Sequence, residues 1–328
     1  MSIFVQRLSY WRRIFKVYFT KNKGYLSFWH ETPAMSEEIA VNDIKGPYYM
    51  TFRDKADYGG PKDKDGVILF DYYFDIGRQY NPLAVAQYGL GHYNLYLKTG
   101  DKKYLEIAKI QADWLVKNLE KNDKGLAVWK HKFRWHYKQY LSPGWYSAHS
   151  QGTGISLLGR IYKETGEQKY LEAARQAFIS MNVDIKDGGV KFTDNDGNIW
   201  LEEYIIDSPT HILNGFLWAL WGVWDYCLLT GDKDALNLWN NCVKTLKENL
   251  PKYDAGFWSL YDLSKQFLKM IASPFYHDLH IVQLKIMHLI SKEDIFDSYR
   301  TKFQGYKNNR IKRKFAFIYK AIFKIFYF

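Results

Sequence analysis

A helix-ending turn that repeats constrains this chain more than any other feature. Leu95-Tyr96-Leu97-Lys98 runs into Thr99-Gly100-Asp101, and Lys103-Tyr104-Leu105-Glu106 follows. Ile161-Tyr162 runs into Thr165-Gly166-Glu167, and Lys169-Tyr170-Leu171-Glu172 follows. Trp224-Asp225-Tyr226 runs into Thr230-Gly231-Asp232. The turns recur about every 65 residues, and self-similarity at a fixed period marks stacked helical units. Glycine suits the left-handed position that ends a helix, and the acid after it suits the start of the next. Each period holds two helices joined by a short turn, then a longer return. That pattern predicts an all-α fold, an (α/α) toroid of helical hairpins in which an outer ring wraps an inner one.

The toroid is expected over residues 67–305. Before it, a turn-rich run from Gly46 to Gly66 and a short strand in Val67 to Tyr73 read as a small β-containing extension over residues 1–66. A basic aromatic tail occupies residues 306–328. The long returns, Val128 to Ser150, Val183 to Pro209 and Leu250 to His280, should gather at one end of the toroid and line a cleft.

Composition narrows the partner. The 328 residues are 47% hydrophobic, enough for a large core, but 12 Trp, 27 Tyr and 21 Phe exceed what a core needs. Aromatic faces stack on the apolar faces of sugar rings. A net charge of +11 favours acidic partners: nucleic acid, anionic lipid or an anionic glycan. No zinc-finger, RRM or helix-turn-helix signature appears, so nucleic acid is not expected as a partner. Cys227 and Cys242 sit in helix-like stretches and read as reduced core residues rather than a disulfide framework. No stretch approaches the ~20 apolar residues of a membrane span. Met1 to Thr20 lacks the apolar core of a signal peptide, which points to a cytoplasmic protein. The two ends, Phe4 to Phe19 and Arg310 to Tyr327, interleave cations with aromatics and suit peripheral contact with an anionic membrane face.

Five segments carry chemistry. The first is Tyr80 to Leu90, which enters a helix with polar Gln87 and Tyr88. The second runs from Val128 through Lys130, Arg134 and Trp145 to Gln151 and Gly152, mixing cations with Trp as a carboxylate-bearing glycan requires. The third is Trp200-Leu201-Glu202-Glu203-Tyr204, followed by Leu213-Asn214-Gly215-Phe216. The fourth is Tyr253 to Leu263, with Tyr261-Asp262-Leu263 at its end. The fifth is Pro274-Phe275-Tyr276-His277-Asp278-Leu279-His280.

In this order the five segments resemble the glucuronyl 5-epimerase family, over about Tyr80 to Leu284. The resemblance implies an (α/α) catalytic domain, usually preceded by a β domain of which little is kept here. It also implies inversion of carbon 5 of glucuronate to iduronate within a heparosan-like acidic polysaccharide, and a homodimer. The family's functional tyrosines match Tyr204, Tyr261 and Tyr276, and its functional acid matches Glu203. One position departs: the family motif reads Tyr-Asp-Leu-Arg, but Ser264 follows Leu263 here, with Lys265 as the nearest substitute cation.

The chemistry explains the residue types. Removing the carbon-5 proton builds charge on the neighbouring carboxylate, so donors must sit where that charge develops. Inversion needs proton-transfer groups on both faces of the ring. Tyr276 and Glu203 are the expected acid/base pair, with Tyr204 and Tyr261 holding the carboxylate and ring oxygen. Gln87, Tyr88, Lys130, Arg134, Trp145, Gln151, Asn214, His277 and His280 are the expected substrate-binding residues. His277 and His280 have a metal-like spacing but no evident third ligand, so neither metal nor other cofactor is expected. Three alternatives remain. A uronate lyase shares the first step and then expels the carbon-4 substituent. A glycoside hydrolase would need two opposed carboxylates, such as Glu203 with Asp262 or Asp254. A non-catalytic module would bind the acidic glycan and leave it unchanged.

Overall fold

The computed structural model describes residues 28–72 and 74–327. The basic aromatic stretch at Phe4 to Phe19 lies outside the described residues. Four helical hairpins follow one another: α1 (Pro82–Thr99) with α2 (Lys102–Lys117), α3 (Ala148–Thr165) with α4 (Gln168–Met181), α5 (Leu213–Thr230) with α6 (Lys233–Asn249), and α7 (Pro274–Ser291) with α8 (Asp294–Asn308). A last helix, α9 (Arg310–Tyr327), is tied to the carbonyls of Gly256, Lys269 and Ile271. The architecture is the expected (α/α) toroid, with α1, α3, α5 and α7 inside. These inner helices are buried over most of their length, α7 only from His277 on, whereas α2, α4, α6 and α8 bury one face.

One turn serves all four hairpins. The hydroxyls of Thr99, Thr165, Thr230 and Ser291 each donate to the carbonyl four residues back and accept the amide two residues on. Between them the chain turns left-handed at Gly100, Gly166, Gly231 and Lys292, with φ of 71°, 72°, 68° and 61°. The fourth turn escapes the sequence repeat because Ser-Lys-Glu replaces Thr-Gly-acid there. Lys292 holds a conformation that costs an L residue roughly 1 kcal/mol.

The β structure is spread along the chain rather than gathered at its start. Four two-stranded antiparallel hairpins are present among the described residues: β1 (Phe70–Tyr72) with β2 (Gly77–Gln79), β3 (Leu119–Lys121) with β4 (Ala127–Trp129), β5 (Trp135–Tyr137) with β6 (Gln139–Leu141), and β7 (Lys191–Thr193) with β8 (Ile199–Leu201). The β3–β4 and β7–β8 loops share one device. Asn122 Oδ1 accepts the amides of Lys124 and Leu126, and Asp194 Oδ1 accepts those of Asp196 and Asn198. Asp63 holds Asp65 and Val67 in the same way. The extension contributes single bridges, Met35 to Met50 and Lys62 to Ile68, rather than a sheet.

Packing fixes the ring. The α3 and α5 backbones touch: a Cβ on Gly222 would lie 2.3 Å from Gly152 Cα. Toward their C-terminal halves the buried Arg160 of α3 pairs with Asp225 of α5 at 2.7 Å. The Tyr49 hydroxyl donates to the same carboxylate at 2.8 Å, and Asn94 of α1 accepts the Tyr48 amide at 2.7 Å. Tyr48 and Tyr49 thereby close one end of the toroid, and among the described residues the other end holds a cavity. Cys227 and Cys242 are free thiols, Cys242 fully buried.

Candidate active site

The first turns of α1, α3, α5 and α7 all reach the end away from Tyr48 and Tyr49, where they enclose a cavity of about 220 Å³. The long returns supply its walls, as the toroid pattern predicts: His131, Trp135 and Trp145 from one, Glu203 and Tyr204 from the next, Phe275 and Tyr276 from the last. The extension adds Trp29, His30 and Lys55.

Glu203 is the only carboxylate among the described residues lining this cavity. Its carboxyl lies against the first turn of α5, where a Cβ on Gly215 would stand 2.1 Å from Oε2. That oxygen is buried and has no hydrogen-bond partner among the described residues. Burial raises the group to about 8; the Tyr204 side chain opposes the shift and the nearby Glu202 adds to it. The two adjacent acids part company. Glu202 turns inward to His211 Nδ1 at 2.5 Å, and the His211 ring stacks on Trp200.

Three tyrosines surround Glu203. Tyr204 and Tyr276 line the cavity, and Tyr261 sits behind Tyr276 with ring centroids 4.9 Å apart. Burial and the proximity of Glu203 push Tyr204 and Tyr261 well above the usual phenol value, so both are hydroxyl donors at neutral pH. A fourth, Tyr137, stacks on Tyr204 and donates to Asp262 at 2.6 Å.

The predicted substrate-binding residues divide. Gln87, Trp145 and Asn214 line the cavity, and Gln87 Oε1 and Asn214 Oδ1 are buried without a partner among the described residues. Tyr88 does not: successive helical residues point about 100° apart, and its ring lies beside His92 and under Lys62. Lys130 donates to the Lys121 carbonyl, and Arg134 pairs with Asp75 at the surface. Gln151 is a buried cross-tie, accepting the Trp129 amide and donating to the Ser180 hydroxyl. His277 stacks on Trp258 and contacts the Phe303 carbonyl, while Ser259 bridges it to His280. These last three are buried core residues that do not line the cavity, although His280 Nε2 has no hydrogen-bond partner among the described residues.

The motif departure at Ser264 has a structural answer. Lys138, on the left-handed turn of the β5–β6 hairpin (φ 51°), reaches Asp262 at 2.8 Å and also donates to Ser264 Oγ. Lys138, not Lys265, therefore supplies the cation beside Asp262.

Sequence reasoning passed over several lining residues. Lys55 is the only lysine or arginine among the described residues lining the cavity. Its Nζ donates to the Phe28 carbonyl at 2.6 Å and lies 4.4 Å from the Phe28 ring centroid. Burial lowers it to about 8, against the pull of Glu31. His131 stacks on Trp145 and His149 on Trp218, and burial lowers both to about 3, so they stay neutral. No sequence motif marks Lys55, which lies in a turn-rich stretch. Candidate hydrolase partners are absent: Asp254 pairs with Lys302 and Tyr306, and Asp262 with Lys138. Among the described residues no cluster of three or more metal-ligating side chains occurs.

Comparison with known proteins gives the family. A D-glucuronyl C5-epimerase of Caenorhabditis elegans is 36% identical over 211 residues, which is 60% of this chain and 34% of the relative. The chain thus spans about a third of that relative's length. An uncharacterised protein of Methanocaldococcus jannaschii is 28% identical over 288 residues, covering 83% of this chain and 90% of the relative. Among solved structures, the cellobiose 2-epimerase of Bacillus thermoamylovorans matches with a TM-score of 0.50 at 12% identity, covering 86% of this chain and 67% of that one, a likeness of fold. The family model described as D-glucuronyl C5-epimerase C-terminus matches residues 121–305, more than half of the sequence, and the chain belongs to that family.

Proposed function

We propose that the protein inverts carbon 5 of a D-glucuronate residue within an acidic, heparosan-like polysaccharide. The observation that carries this reading is the pairing, in one aromatic cavity, of a single carboxyl raised to about 8 with Tyr276 and a buried lysine. A carboxyl near 8 works as an acid, and once ionised it is a stronger base than an ordinary carboxylate. Glu203 takes the carbon-5 proton, and the C–H electron pair moves into the substrate carboxylate to give an enediolate-like dianion. Tyr276 returns a proton to the opposite face, and carbon 5 is inverted. Lys55 neutralises charge on the carboxylate, while Tyr204 and its neighbours donate to oxygens that become more negative. Such donors are most effective in a cavity that excludes water.

The polymer's sugar rings suit Trp135, Trp145 and Trp218 as stacking surfaces. The unmet polar atoms of Gln87, Asn214, His149 and Trp218 are in place for its hydroxyls. The lone carboxylate argues against glycoside hydrolysis, which requires an opposed pair. Incubation with heparosan tests the assignment. Iduronate without new ultraviolet absorbance is expected. An absorbing unsaturated product would make the protein a lyase, and Tyr276→Phe with full activity would remove Tyr276 from the scheme.

A further inference from the structure

Helix α9 concentrates what the rest of the surface avoids. Of the thirteen exposed large hydrophobic side chains among the described residues, seven lie on α9. Ile311, Phe315, Ile318, Ile322 and Phe326 recur at helical spacing, so they form one stripe about 80° wide. Ile311 is 80% exposed and Phe326 71%. Phe267, 95% exposed, stands on the adjoining loop, which the Leu268 amide ties to the Tyr327 hydroxyl.

The helix is held by a different face. Ala316 and Phe323 are buried, Tyr319 donates to the Lys269 carbonyl and Lys312 to the Gly256 carbonyl. With this face anchored, the apolar stripe is left outward. Lys314 and Arg310 flank one edge of it, Arg313 lies on the far side of the helix, and the helix carries no acidic residue. Among the described residues no helix is long and apolar enough to cross a membrane.

We propose that α9 docks the protein on an anionic lipid surface. The Ile/Phe stripe and Phe267 enter the acyl boundary, and the basic flank meets the head groups. Charge selects the occupant: a stripe for a protein partner or a second copy has no need of a helix whose charged side chains are all cationic, whereas an anionic bilayer does.

The test is flotation of the full chain with vesicles of phosphatidylcholine alone and with an equal part of phosphatidylglycerol. Binding is expected only to the anionic vesicles, and it should fall with added salt. Ile318→Asp with Ile322→Asp, and separately Arg310→Glu with Lys314→Glu, change exposed side chains, so unchanged circular dichroism is expected. Each pair should lower partitioning about tenfold or more. No flotation of the parent, or flotation undiminished in both variants, overturns the proposal. A lipid-free dimer that the aspartates dissociate, without flotation, assigns the stripe to a second copy and also overturns it.

Discussion

Glu203 Oε2 occupies the space where a Cβ on Gly215 would stand, 2.1 Å away. The glycine is therefore part of the site: its missing side chain lets the carboxyl rest against the first turn of α5.

Gly215→Ala should push the Glu203 carboxyl aside while the helix keeps its φ and ψ. A displacement of about 1 Å costs roughly 100-fold in rate. We expect kcat on heparosan to fall by about that factor, with the thermal midpoint nearly unchanged. A large loss of stability instead would mean that α5 itself moved.

The carboxyl shift makes a stability prediction with a definite sign. Glu203 rises from 4.5 to about 8, so the folded chain holds a proton that the unfolded chain has released between those values. Its contribution therefore becomes increasingly unfavourable as pH rises through that window. Glu203→Gln keeps the neutral shape and removes the dependence. It should match the parent near pH 4 and exceed it by a few kcal/mol above pH 8, as read by denaturant unfolding at the two extremes. In the parent, kcat/KM should show a limb near pH 8 that Glu203 sets.

Lys138 and Ser264 can be exchanged for the family arrangement. Lys138→Ala leaves Asp262 buried without its cation and frees the hairpin that holds Tyr137 against Tyr204. We expect KM to rise about tenfold. Ser264→Arg in that background returns a cation to the same carboxylate and should recover most of the loss. Kinetics on the single and double variants decide it.

The Arg160–Asp225 pair lies away from the cavity and should affect stability only. Removing one partner of a buried pair costs about 3–5 kcal/mol. Arg160→Met is expected to cost that much. Asp225→Leu added to it should cost less than the two changes taken separately, because no lone charge remains. Chemical denaturation of the three variants measures the coupling.

The architecture was legible because the hairpin turns depend on local chemistry. A Thr hydroxyl, a left-handed Gly and a capping acid are readable residue by residue. The fourth turn was hidden only because Lys292 pays the strain that Gly avoids. The site was legible in part. Motifs located Glu203, Tyr204, Tyr276, Gln87, Trp145 and Asn214 on the cavity wall. They could not separate residues that face a ligand from residues that brace those that do, and so Gln151, His277 and His280 proved to be core. Lys55, His30 and His149 went unread because their place depends on how distant segments pack. The β5–β6 hairpin, which brings Lys138 to Asp262 across more than a hundred residues of sequence, is a tertiary fact of the same kind.

The central claim is that Glu203 and Tyr276 exchange the carbon-5 proton of a uronate, and solvent deuterium reads that event directly. The measurement is proton NMR of heparosan incubated with the protein in deuterated water. The account predicts loss of the glucuronate carbon-5 signal and new iduronate signals without unsaturation, both suppressed by Glu203→Gln. A carbon-5 signal that persists undiminished with the active-site residues intact would contradict it.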